Sequence, residues 1–364
     1  MTDEVRIGMI GVGQIGKKHV SAYQQIKGAK IVAVCDVDEG EARRVAGEIG
    51  VKCVLTNFRE LLKMDEIDAV DVCLHNNMHM PVTCEALRAG KNVYCEKPMA
   101  GAYVDAKKML DTAEQCGRML SIQLETLFRP ETHAAERLIA EGWLGKLYYA
   151  KSSSYRRRGR PYVDGYGTDR FVQKRTASGG ALYDMGVYHI AQLLYLMGNP
   201  QVKTVTGATH QEIGMYEERG KLYDVEELGV GLVRLEGGIT FFIEESWAVH
   251  MAGTDGSKLM GSKGGVSLAP FGFFTTICDM EFDATANLQS AEVRWGRCVA
   301  DADAFTSPQQ HWIAANQGRV ELLPTAQIAL STMLISEGIY LSQRLGREVT
   351  PDEVLAGSVS TASM

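Results

Sequence analysis

Three glycines near the start of the chain constrain its fold more than any other feature. Gly11, Gly13 and Gly16 follow an apolar run, Val5–Ile10, and precede a helical pattern. In such a turn the first glycine permits a tight bend, the second lets the backbone approach a pyrophosphate, and the third allows close packing of helix and strand. The helix N-terminus then faces the phosphates with its free N–H groups. The spacing therefore predicts a dinucleotide site at the end of a first β-strand.

An acidic residue supports this interpretation. Asp36 ends a second apolar run and lies 20 residues after Gly16, the separation at which a carboxylate binds the ribose 2′-hydroxyl in sites of this type. A carboxylate there repels a 2′-phosphate, and the next residues, Val37 and Asp38, provide no arginine to bind one. NAD(H) is therefore the expected cofactor, rather than NADP(H).

The first third of the chain alternates short apolar runs with helical patterns. Helices are predicted over Pro81–Ala89, before Gly90, and over Ala102–Cys116, before a left-handed C-cap at Gly117. This alternation predicts a doubly wound parallel sheet with right-handed crossovers, so residues 1–125 are expected to form a Rossmann domain. The predicted strands are Val5–Ile10, Lys30–Asp36, Val51–Leu55, Ala69–His75, Asn92–Glu96 and Met119–Leu124.

The pattern changes after residue 125. Strand-like runs without intervening helices predict an α+β domain over residues 126–355, with a large, open, mostly antiparallel sheet. The basic and glycine-rich stretch Arg156–Gly180 is predicted to be a long loop, and such loops are often functional. Residues 270–305 fit no pattern, and the small polar tail, residues 356–364, is expected to be flexible. The predicted elements are helices Glu131–Glu141, Ala181–Met197 and Thr325–Leu345, and strands Lys146–Tyr155, Val202–Ala208, Glu227–Leu235, Gly238–Trp247 and Lys258–Leu268.

Composition argues against several classes of protein. The net charge of −7 disfavours nucleic-acid binding, which usually needs a basic face. No apolar run of the sequence is long enough to span a bilayer, and the acidic start, residues 1–4, has no signal-peptide features. The eight cysteines include no Cys-x-x-Cys pair, which favours buried reduced thiols over a metal site. We therefore expect a cytoplasmic protein without a bound metal or a membrane partner.

A second motif, Cys95-Glu96-Lys97-Pro98, ends the fifth predicted strand. Ligands of doubly wound sheets bind at the carboxyl ends of the strands, so Lys97 is expected to project beside the cofactor. Pro98 fixes the backbone there and permits a cis peptide bond. A lysine after a strand is more often only solvated, so this tetrapeptide alone does not predict catalysis.

Three motifs in this order resemble the Gfo/Idh/MocA oxidoreductases, the family of glucose–fructose oxidoreductase and inositol dehydrogenase. They are the glycine turn, Glu96-Lys97-Pro98, and a later segment, Gly179-Gly180-Ala181-Leu182-Tyr183-Asp184-Met185-Gly186. The resemblance extends over nearly the whole chain, and includes Phe128-Arg129-Pro130 and Gly261–Gly265. It implies a catalytic Lys97. It also implies that the cofactor site comprises Gly11, Gly13, Gln14, Ile15, Gly16, Asp36, Asn76, His79, Glu96 and Lys97.

The third motif predicts the acid–base face of the site. On an α-helix, residues four apart share a face, so Asp184 and Tyr188 are expected to point together, with His189 turned about 100° away. Similar proteins of the inositol dehydrogenase type have histidine at the Tyr188 position, whereas a tyrosine there resembles the glucose–fructose oxidoreductase type. A tyrosine is a poor base unless a cation lowers its pKa, and Lys97 is a candidate for that cation. Tyr188 is the preferred proton-transfer group, His189 and Lys97 are alternatives, and Asp184 is expected to orient the substrate hydroxyl.

The sequence says less about the substrate. Glu125, Arg158 and Lys174 are candidates for contacts with hydroxyl or carboxylate groups. The resemblance implies oxidation of a secondary hydroxyl of a sugar, cyclitol or glycoside, for example the 3-hydroxyl of a glucoside, by hydride transfer to NAD that is either exchangeable or tightly bound. An NAD-dependent glycosidase or lyase that oxidises carbon 3 transiently is an alternative, and a non-catalytic NAD(H)-binding regulator is another. An apolar sheet face that needs covering predicts a homo-oligomer, either a dimer or a larger even assembly.

Overall fold

The first of two sheets lies in the N-terminal third of the chain. The computed structural model describes residues 3–253 and 256–363, and this sheet has six parallel strands in the order β3-β2-β1-β4-β5-β6. That is the strand order of a Rossmann fold, which leaves a crevice where the order reverses between β1 and β4. The predicted doubly wound sheet is confirmed. Its strands are β1 (Val5–Ile10), β2 (Ala29–Cys35), β3 (Cys53–Leu55), β4 (Ala69–Val72), β5 (Asn92–Cys95) and β6 (Leu120–Ile122).

Five helices connect these strands and cover both faces of the sheet. The predicted end of the last one is confirmed, because Gly117 has a left-handed φ of 58°. The helix predicted from Pro81 begins earlier, at Asn76, so the proline lies inside the helix. The helices are α1 (Gln14–Tyr23), α2 (Glu39–Ile49), α3 (Phe58–Leu62), α4 (Asn76–Arg88) and α5 (Tyr103–Cys116).

The second sheet has eight strands in the order β14-β13-β12-β11-β7-β10-β9-β8. Within this second sheet, β7 and β10 are the only parallel neighbours among the described strands, which confirms the predicted large, mostly antiparallel sheet. The single strand predicted over Lys258–Leu268 is wrong, because a turn at Ser262 and Lys263 divides it in two. The strands are β7 (Leu147–Tyr155), β8 (Val202–His210), β9 (Leu228–Leu235), β10 (Thr240–Ser246), β11 (Lys258–Gly261), β12 (Gly264–Leu268), β13 (Phe271–Ile277) and β14 (Met280–Ala284).

The hairpin β13–β14 lies in the segment that fits no sequence pattern. Every residue of β14 is exposed, so no alternation of buried and exposed positions marks it as a strand. The turn residues Cys278 and Asp279 have φ values of 52° and 63°, as a two-residue hairpin turn requires. Neither is the glycine that usually signals such a turn, and the sequence therefore gives little sign of this hairpin.

Helices of the second part of the chain cover one face of the second sheet. The predicted long loop Arg156–Gly180 contains a 3₁₀ turn, Asp169–Val172, and one short helix. The helix predicted over Ala181–Met197 starts with a π-helical segment, Leu182–Gly186, before it becomes α-helical. Within the described residues, no helix combines the length and the apolar character that a bilayer span needs. The helices are α6 (Pro130–Ala140), α7 (Lys174–Ala177), α8 (Val187–Leu196), α9 (Glu217–Gly220), α10 (Leu288–Cys298), α11 (Pro308–Asn316), α12 (Thr325–Leu345) and α13 (Pro351–Gly357).

The C-terminal helices return to the first sheet. Helix α12 packs against β8 and also against α5 and β6. Trp312 and Ile313 of α11 are fully buried in the same cluster as Ile7 and Met9 of β1. The first sheet therefore has part of its core supplied by residues far beyond the predicted boundary at residue 125.

The C-terminal tail is also attached to the first sheet's helices. Pro81 has no N–H to donate to the carbonyl of Asn77 four residues earlier, and the N–H of Ser363 donates to that carbonyl instead, at 3.1 Å. The N–H of Thr361 donates to Asp105 at 2.9 Å. This arrangement differs from the flexible tail that the small polar composition predicts, because composition does not reveal an unpaired carbonyl elsewhere in the fold.

Candidate active site

The glycine turn after β1 has the geometry that its spacing predicts. A Cβ on Gly11, whose φ is 91°, would lie 2.3 Å from the carbonyl oxygen of Cys73, and one on Gly16 would lie 2.2 Å from the carbonyl oxygen of Gly11. Gly13 differs, because no described atom lies within 4 Å of the place where its Cβ would be. The fold itself requires the first and third glycines. The second leaves open space beside the start of α1, where a phosphate group can approach the backbone.

Two further features of the turn fit NAD(H). No described side chain caps the N-terminus of α1, so its first N–H groups are available to an anion. The carboxylate of Asp36 accepts hydrogen bonds from the N–H of Val12 at 2.8 Å and of Asp38 at 3.0 Å. Each carboxylate oxygen has a further lone pair, so Asp36 is fixed beside the turn and can still accept from a ribose hydroxyl.

Lys97 joins the two halves of the chain at the edge of the first sheet. Its peptide bond to Pro98 is cis. Its ammonium group donates to the Oδ1 of Asp184 at 2.8 Å and to the backbone carbonyl of the same residue at 3.1 Å. The other carboxylate oxygen of Asp184 accepts from the indole N–H of Trp247 at 2.9 Å and lies 3.9 Å from the guanidinium of Arg156. Asp184 is therefore held by groups from both sides of the cleft.

The π-helical segment changes which side chains share a face with Asp184. A π-helix closes i→i+5 hydrogen bonds and occurs most often at functional sites. The wider turn changes the angle between successive side chains along the segment. The expectation that His189 points well away from Asp184 assumed an uninterrupted α-helix.

Tyr188 lies against Lys97. The ammonium nitrogen of Lys97 is 4.8 Å from the centre of the Tyr188 ring, within the range of a cation–π contact. The phenol hydroxyl donates to the Oε1 of Gln123 at 3.3 Å. The backbone carbonyl of Tyr188 accepts from the hydroxyl of Thr126 at 2.7 Å, which fixes the helix at this point.

One ring nitrogen of His189 binds a buried carboxylate. Its Nδ1 lies 3.0 Å from the Oε2 of Glu245 in β10, and the Oε1 of that residue accepts from the hydroxyl of Ser152 in β7 at 2.6 Å. Glu245 is fully buried, whereas the side chain of His189 is 24% exposed. A carboxylate that binds one ring nitrogen fixes the tautomer and leaves the other nitrogen toward the more exposed side.

The ionisation of the site follows from these contacts. Burial acts to raise the pKa of Asp184, but Lys97, Trp247 and Arg156 together hold it below its usual value. Burial acts to lower the pKa of Lys97, but Asp184, Tyr188 and Glu96 together hold it above its usual value. Burial raises the pKa of Tyr188 to about 12, although the charge of Lys97 acts to lower it. Burial lowers the pKa of His189, but Glu245 outweighs this effect and the pKa is raised. At neutral pH the lysine–aspartate pair is charged and the tyrosine keeps its proton.

Comparison with known proteins agrees with this geometry. Residues 5–124 match the sequence model of an oxidoreductase family with an NAD-binding Rossmann fold, and residues 132–267 match that of the GFO/IDH/MocA C-terminal domain. The chain belongs to the Gfo/Idh/MocA family. It is an NAD-binding oxidoreductase, as the three sequence motifs predict.

Several relatives within this family have a named activity. The chain is 28% identical to the D-glucoside 3-dehydrogenase of Escherichia coli K12, over 95% of this chain and 97% of the relative. It is 30% identical to the 1,5-anhydro-D-fructose reductase of Ensifer adhaerens, over 70% of this chain and 75% of the relative. Among solved structures, levoglucosan dehydrogenase in complex with NADH and levoglucosan has a TM-score of 0.78 at 19% identity, covering 95% of this chain and 99% of the other.

Two residues predicted to bind the cofactor have other contacts in this Gfo/Idh/MocA chain. The side-chain amide of Asn76 donates to the carbonyl of Ala177 at 2.8 Å. His79 is fully buried, and its ring nitrogens lie 2.8 Å from the carbonyl of Pro98 and 3.1 Å from that of Leu74. His79 therefore joins the loops after β4 and β5 from behind, instead of contacting the cofactor directly. Glu96 is also buried, and its Oε2 accepts from the N–H of Lys97 at 2.9 Å.

The three residues predicted to bind substrate differ in their positions. Glu125 is exposed, pairs with Arg129 at 3.3 Å, and is close enough to influence Tyr188. Arg158 points to Asp164 at 3.2 Å, so it is Arg156 of the same basic segment that lies beside Asp184. Lys174 begins α7, whose last residue binds Asn76, and it is exposed.

Sequence reasoning missed several residues that shape the site. Arg156 belongs to the recognised basic segment, but no pattern distinguishes it from its neighbours. Glu245 and Ser152 are polar residues in strands and become visible only when β7 and β10 pair. Glu226 lies more than 40 residues after the Gly179–Gly186 segment in the sequence. Its buried carboxylate nevertheless accepts hydrogen bonds from the backbone N–H groups of Gly180 at 2.8 Å and Leu182 at 3.0 Å.

Proposed function

We propose that the protein oxidises a secondary hydroxyl of a sugar, cyclitol or glycoside to a ketone, with NAD⁺ as the hydride acceptor. One observation carries this proposal. The ammonium of Lys97 lies 2.8 Å from Asp184 and 4.8 Å from the ring of Tyr188, at the carboxyl edge of a sheet whose glycine turn fits NAD. A fixed positive charge and two hydrogen-bonding groups thus meet where a reacting hydroxyl can lie beside a nicotinamide.

The substrate class is supported by the relatives. The named activities include a D-glucoside 3-dehydrogenase and a 1,5-anhydro-D-fructose reductase, and the first of these aligns along almost the full length of both chains. The 3-hydroxyl of a glucoside is therefore the specific position that we propose. The mixed set of donors and acceptors around the cleft, with Glu125, Arg129 and Arg156 near its mouth, suits a ligand that carries several hydroxyl groups.

Each residue of the cleft has a distinct task in this reaction. When bound, the nicotinamide supplies the acceptor for the hydride. Lys97 donates a hydrogen bond to the reacting oxygen and stabilises the negative charge that develops there. Asp184 keeps Lys97 charged and accepts a hydrogen bond from a neighbouring hydroxyl of the substrate. The indole N–H of Trp247 donates to the carboxylate of Asp184 and holds it in place.

The proton of the hydroxyl needs an acceptor, and two residues are candidates. Tyr188 has a pKa near 12, so at neutral pH it acts as a donor and holds the reacting oxygen together with Lys97. Histidine ordinarily titrates near pH 6.5. Glu245 raises the pKa of His189 above that value and binds its Nδ1 at 3.0 Å. An imidazole accepts a proton more readily than a phenol that stays protonated at neutral pH, and we therefore assign proton acceptance to His189 in preference to Tyr188.

The function is tested by following the cofactor and the substrate together. Purified protein is denatured to find any released NAD(H), and native protein is then incubated with NAD⁺ and a panel of sugars, cyclitols and glycosides. The expected result is accumulation of NADH together with a product lighter by two hydrogens. A glycoside that is cleaved without net NADH would instead indicate transient oxidation and elimination. A protein that binds NAD(H) but changes no compound of the panel would favour the regulator, and one that binds no NAD(H) would contradict the proposal.

The proton acceptor is tested with matched substitutions. In the oxidation direction the base must be unprotonated, so kcat rises as the pH rises through the pKa of His189. The variant E245Q removes the charge that raises this pKa, and the acidic limb of the kcat profile is expected to move to lower pH. H189N should lose more activity than Y188F. An acidic limb that E245Q does not move, together with a greater loss in Y188F, would assign the proton to Tyr188.

We also propose that the exposed face of the second sheet joins two copies of the chain. Phe274 of β13 is 43% exposed and Met260 of β11 is 37% exposed. Both residues pair with Gly265 of β12, so their side chains lie on the same face of the sheet. A groove of about 1150 Å³ beside Trp143 lies between these strands and the turn at Ser262. Apolar side chains at this density on one face are usually covered by a partner.

A further inference from the structure

A cluster of polar side chains is buried behind Lys97, inside the first sheet. His19 of α1 is 3% exposed and lies between Asp71, which is fully buried in β4, and Glu96, which is 7% exposed after β5. The Nδ1 of His19 is 2.9 Å from the Oδ2 of Asp71, and its Nε2 is 2.9 Å from the Oε1 of Glu96. Two buried carboxylates and one imidazole are costly to bury unless they are paired, and the reaction proposed above does not by itself require them.

The hydrogen-bond partners determine which of these groups carry protons. Asp71 accepts from the hydroxyl of Tyr23 at 2.8 Å and from the thiol of Cys73 at 3.2 Å. The free Oε2 of Glu96 accepts from the backbone N–H of Lys97 at 2.9 Å. All these partners are donors, and such contacts favour the ionised form of a carboxyl group. An ionised carboxylate cannot donate to an imidazole nitrogen, so a His19 placed between two carboxylates carries a proton on each ring nitrogen.

We infer that His19 is a charged positioning residue of the active site, which keeps Glu96 ionised and thereby holds Lys97 charged and in place. Charges then alternate along Asp71, His19, Glu96, Lys97 and Asp184, from the core of the first sheet to the catalytic helix. His19 lies 2.9 Å from both carboxyl groups, and the ammonium of Lys97 lies 2.8 Å from Asp184. Glu96 binds the backbone N–H of Lys97 at 2.9 Å and acts on its ammonium through its charge. This inference rests on the proposed role of Lys97, whereas the charge on His19 does not depend on that role.

The surroundings of His19 support a lasting positive charge. The groups that face it are Asp71 from β4, Cys73 just after β4, Glu96 from the loop after β5, and the ring of Tyr94 at 5.7 Å. Burial acts to lower the pKa of His19, but Asp71 and Cys73 together reverse this effect and the pKa lies well above its usual value. Burial acts to raise the pKa of Glu96, but His19 and Lys97 together reverse this effect and the pKa is lowered.

The charge on His19 is measured without any substrate. Protein labelled with ¹³C at the Cε1 of histidine gives one NMR signal for each histidine, and the signal that is lost in H19Q belongs to His19. The expected result is an imidazolium shift for His19 at neutral pH that persists to alkaline pH. A His19 signal in the neutral form at neutral pH would overturn the inference, whatever activity the protein has.

The effect on Lys97 is measured by the pH dependence of kcat. H19Q retains a donor for Glu96 but carries no charge, so burial of Glu96 is no longer compensated and its pKa should rise. Below that pKa, Glu96 is neutral and Lys97 is less well held. The acidic limb of kcat is therefore expected to move to higher pH by about one unit or more. The double variant H19Q/E96Q should lose this movement, because the titrating carboxyl is gone.

A matched control separates this effect from a general loss of structure. His133 contacts Glu292 at 3.2 Å, away from the cleft, so H133Q should leave the pH profile unchanged. A purely structural His19 would lower kcat or thermal stability in H19Q with no movement of the acidic limb, and that outcome would overturn the positioning role. If no substrate is found at all, the proposed function fails, while the NMR experiment still decides the charge on His19.

Discussion

The two sides of the cleft are built by different means. On the side of the first sheet, the chain uses its backbone, through the bend at Gly11, the open space at Gly13 and the uncapped start of α1. On the side of the second sheet it uses side chains that come from distant positions, such as His189 and Glu245, 56 residues apart. A backbone site demands particular residue types at fixed spacings, whereas a side-chain site depends on tertiary contacts. The first kind can be read from a sequence, and the second requires the structure.

Lys97 is the point at which the two sides meet, so its loss should have the largest effect. Replacement by methionine, K97M, removes the charge beside the reacting oxygen and should lower kcat by about 10²–10³-fold or more. The glycine turn is untouched, so the dissociation constant for NAD⁺, measured by fluorescence titration, should stay within about threefold. K107M, at an exposed lysine paired with Asp111, is the control. An active K97M would remove the lysine from the mechanism.

The substrate side of the cleft, next to the second sheet, is tested by substituting two arginines of the same basic segment. R156A removes a guanidinium 3.9 Å from Asp184 and should lower kcat/KM by about tenfold, the effect of losing about 1.4 kcal/mol in the transition state. R158A removes a half-exposed arginine from Asp164, but Arg160 also pairs with this carboxylate, at 3.0 Å, and remains. The variant should therefore change kcat/KM by less than about threefold. The reverse order would restore the assignment of Arg158 that the sequence favours. Steady-state kinetics on the substrate identified above distinguish the two.

The cofactor side of the cleft, next to the first sheet, is tested with substitutions at Asp36. D36A removes an acceptor for the ribose hydroxyl and should weaken NAD⁺ binding by about tenfold, with a gain in relative affinity for NADP⁺ because the repulsion of a 2′-phosphate disappears. Asp38 caps α2 by accepting from the N–H of Glu41 at 3.0 Å. D38A should therefore reduce thermal stability and leave the cofactor preference unchanged. Equal changes in both variants would mean that Asp36 acts only on the fold of the turn.

The smallest effect on catalysis is expected far from the cleft. F274D and M260D place charges on the exposed face of the second sheet and should convert an oligomer to monomers, as measured by sedimentation, while kcat changes by less than about twofold. T275D, on the same strand β13 but on the opposite face, keeps Phe274 and Met260 and is the control. A wild-type protein that is monomeric would contradict the proposed contact between copies.

The sequence predicts the fold class and all six strands of the first sheet, with strand ends that differ from the structure by up to three residues. It fails where the deciding feature is a contact between distant positions. The α-helical rule for Asp184 and Tyr188 does not anticipate the π-helical segment, since nothing in the residue types from Leu182 to Gly186 requires a wider turn. His79 carries a polar side chain after a strand, which indicates a ligand contact, but two carbonyl groups of the protein occupy its nitrogens.

The tail is a further example. Its small polar residues are typical of a flexible end, but the N–H of Ser363 donates to the carbonyl of Asn77, which Pro81 leaves without a donor in the helix. Proline inside α4 is visible in the sequence, but the position of residue 363 beside it is not. Similarly, the hairpin β13–β14 lacks both a buried face and a turn glycine. In each case the missing information is the identity of a neighbour rather than a local preference.

The return of α11 and α12 to the first sheet has a consequence for synthesis on the ribosome. When residue 125 has emerged, all six strands of the first sheet exist, but Trp312 and the helix that packs on β6 do not. The growing chain must therefore keep part of an apolar surface uncovered while more than two hundred further residues are added. The cofactor domain cannot finish folding first, and its completion waits for the last quarter of the protein.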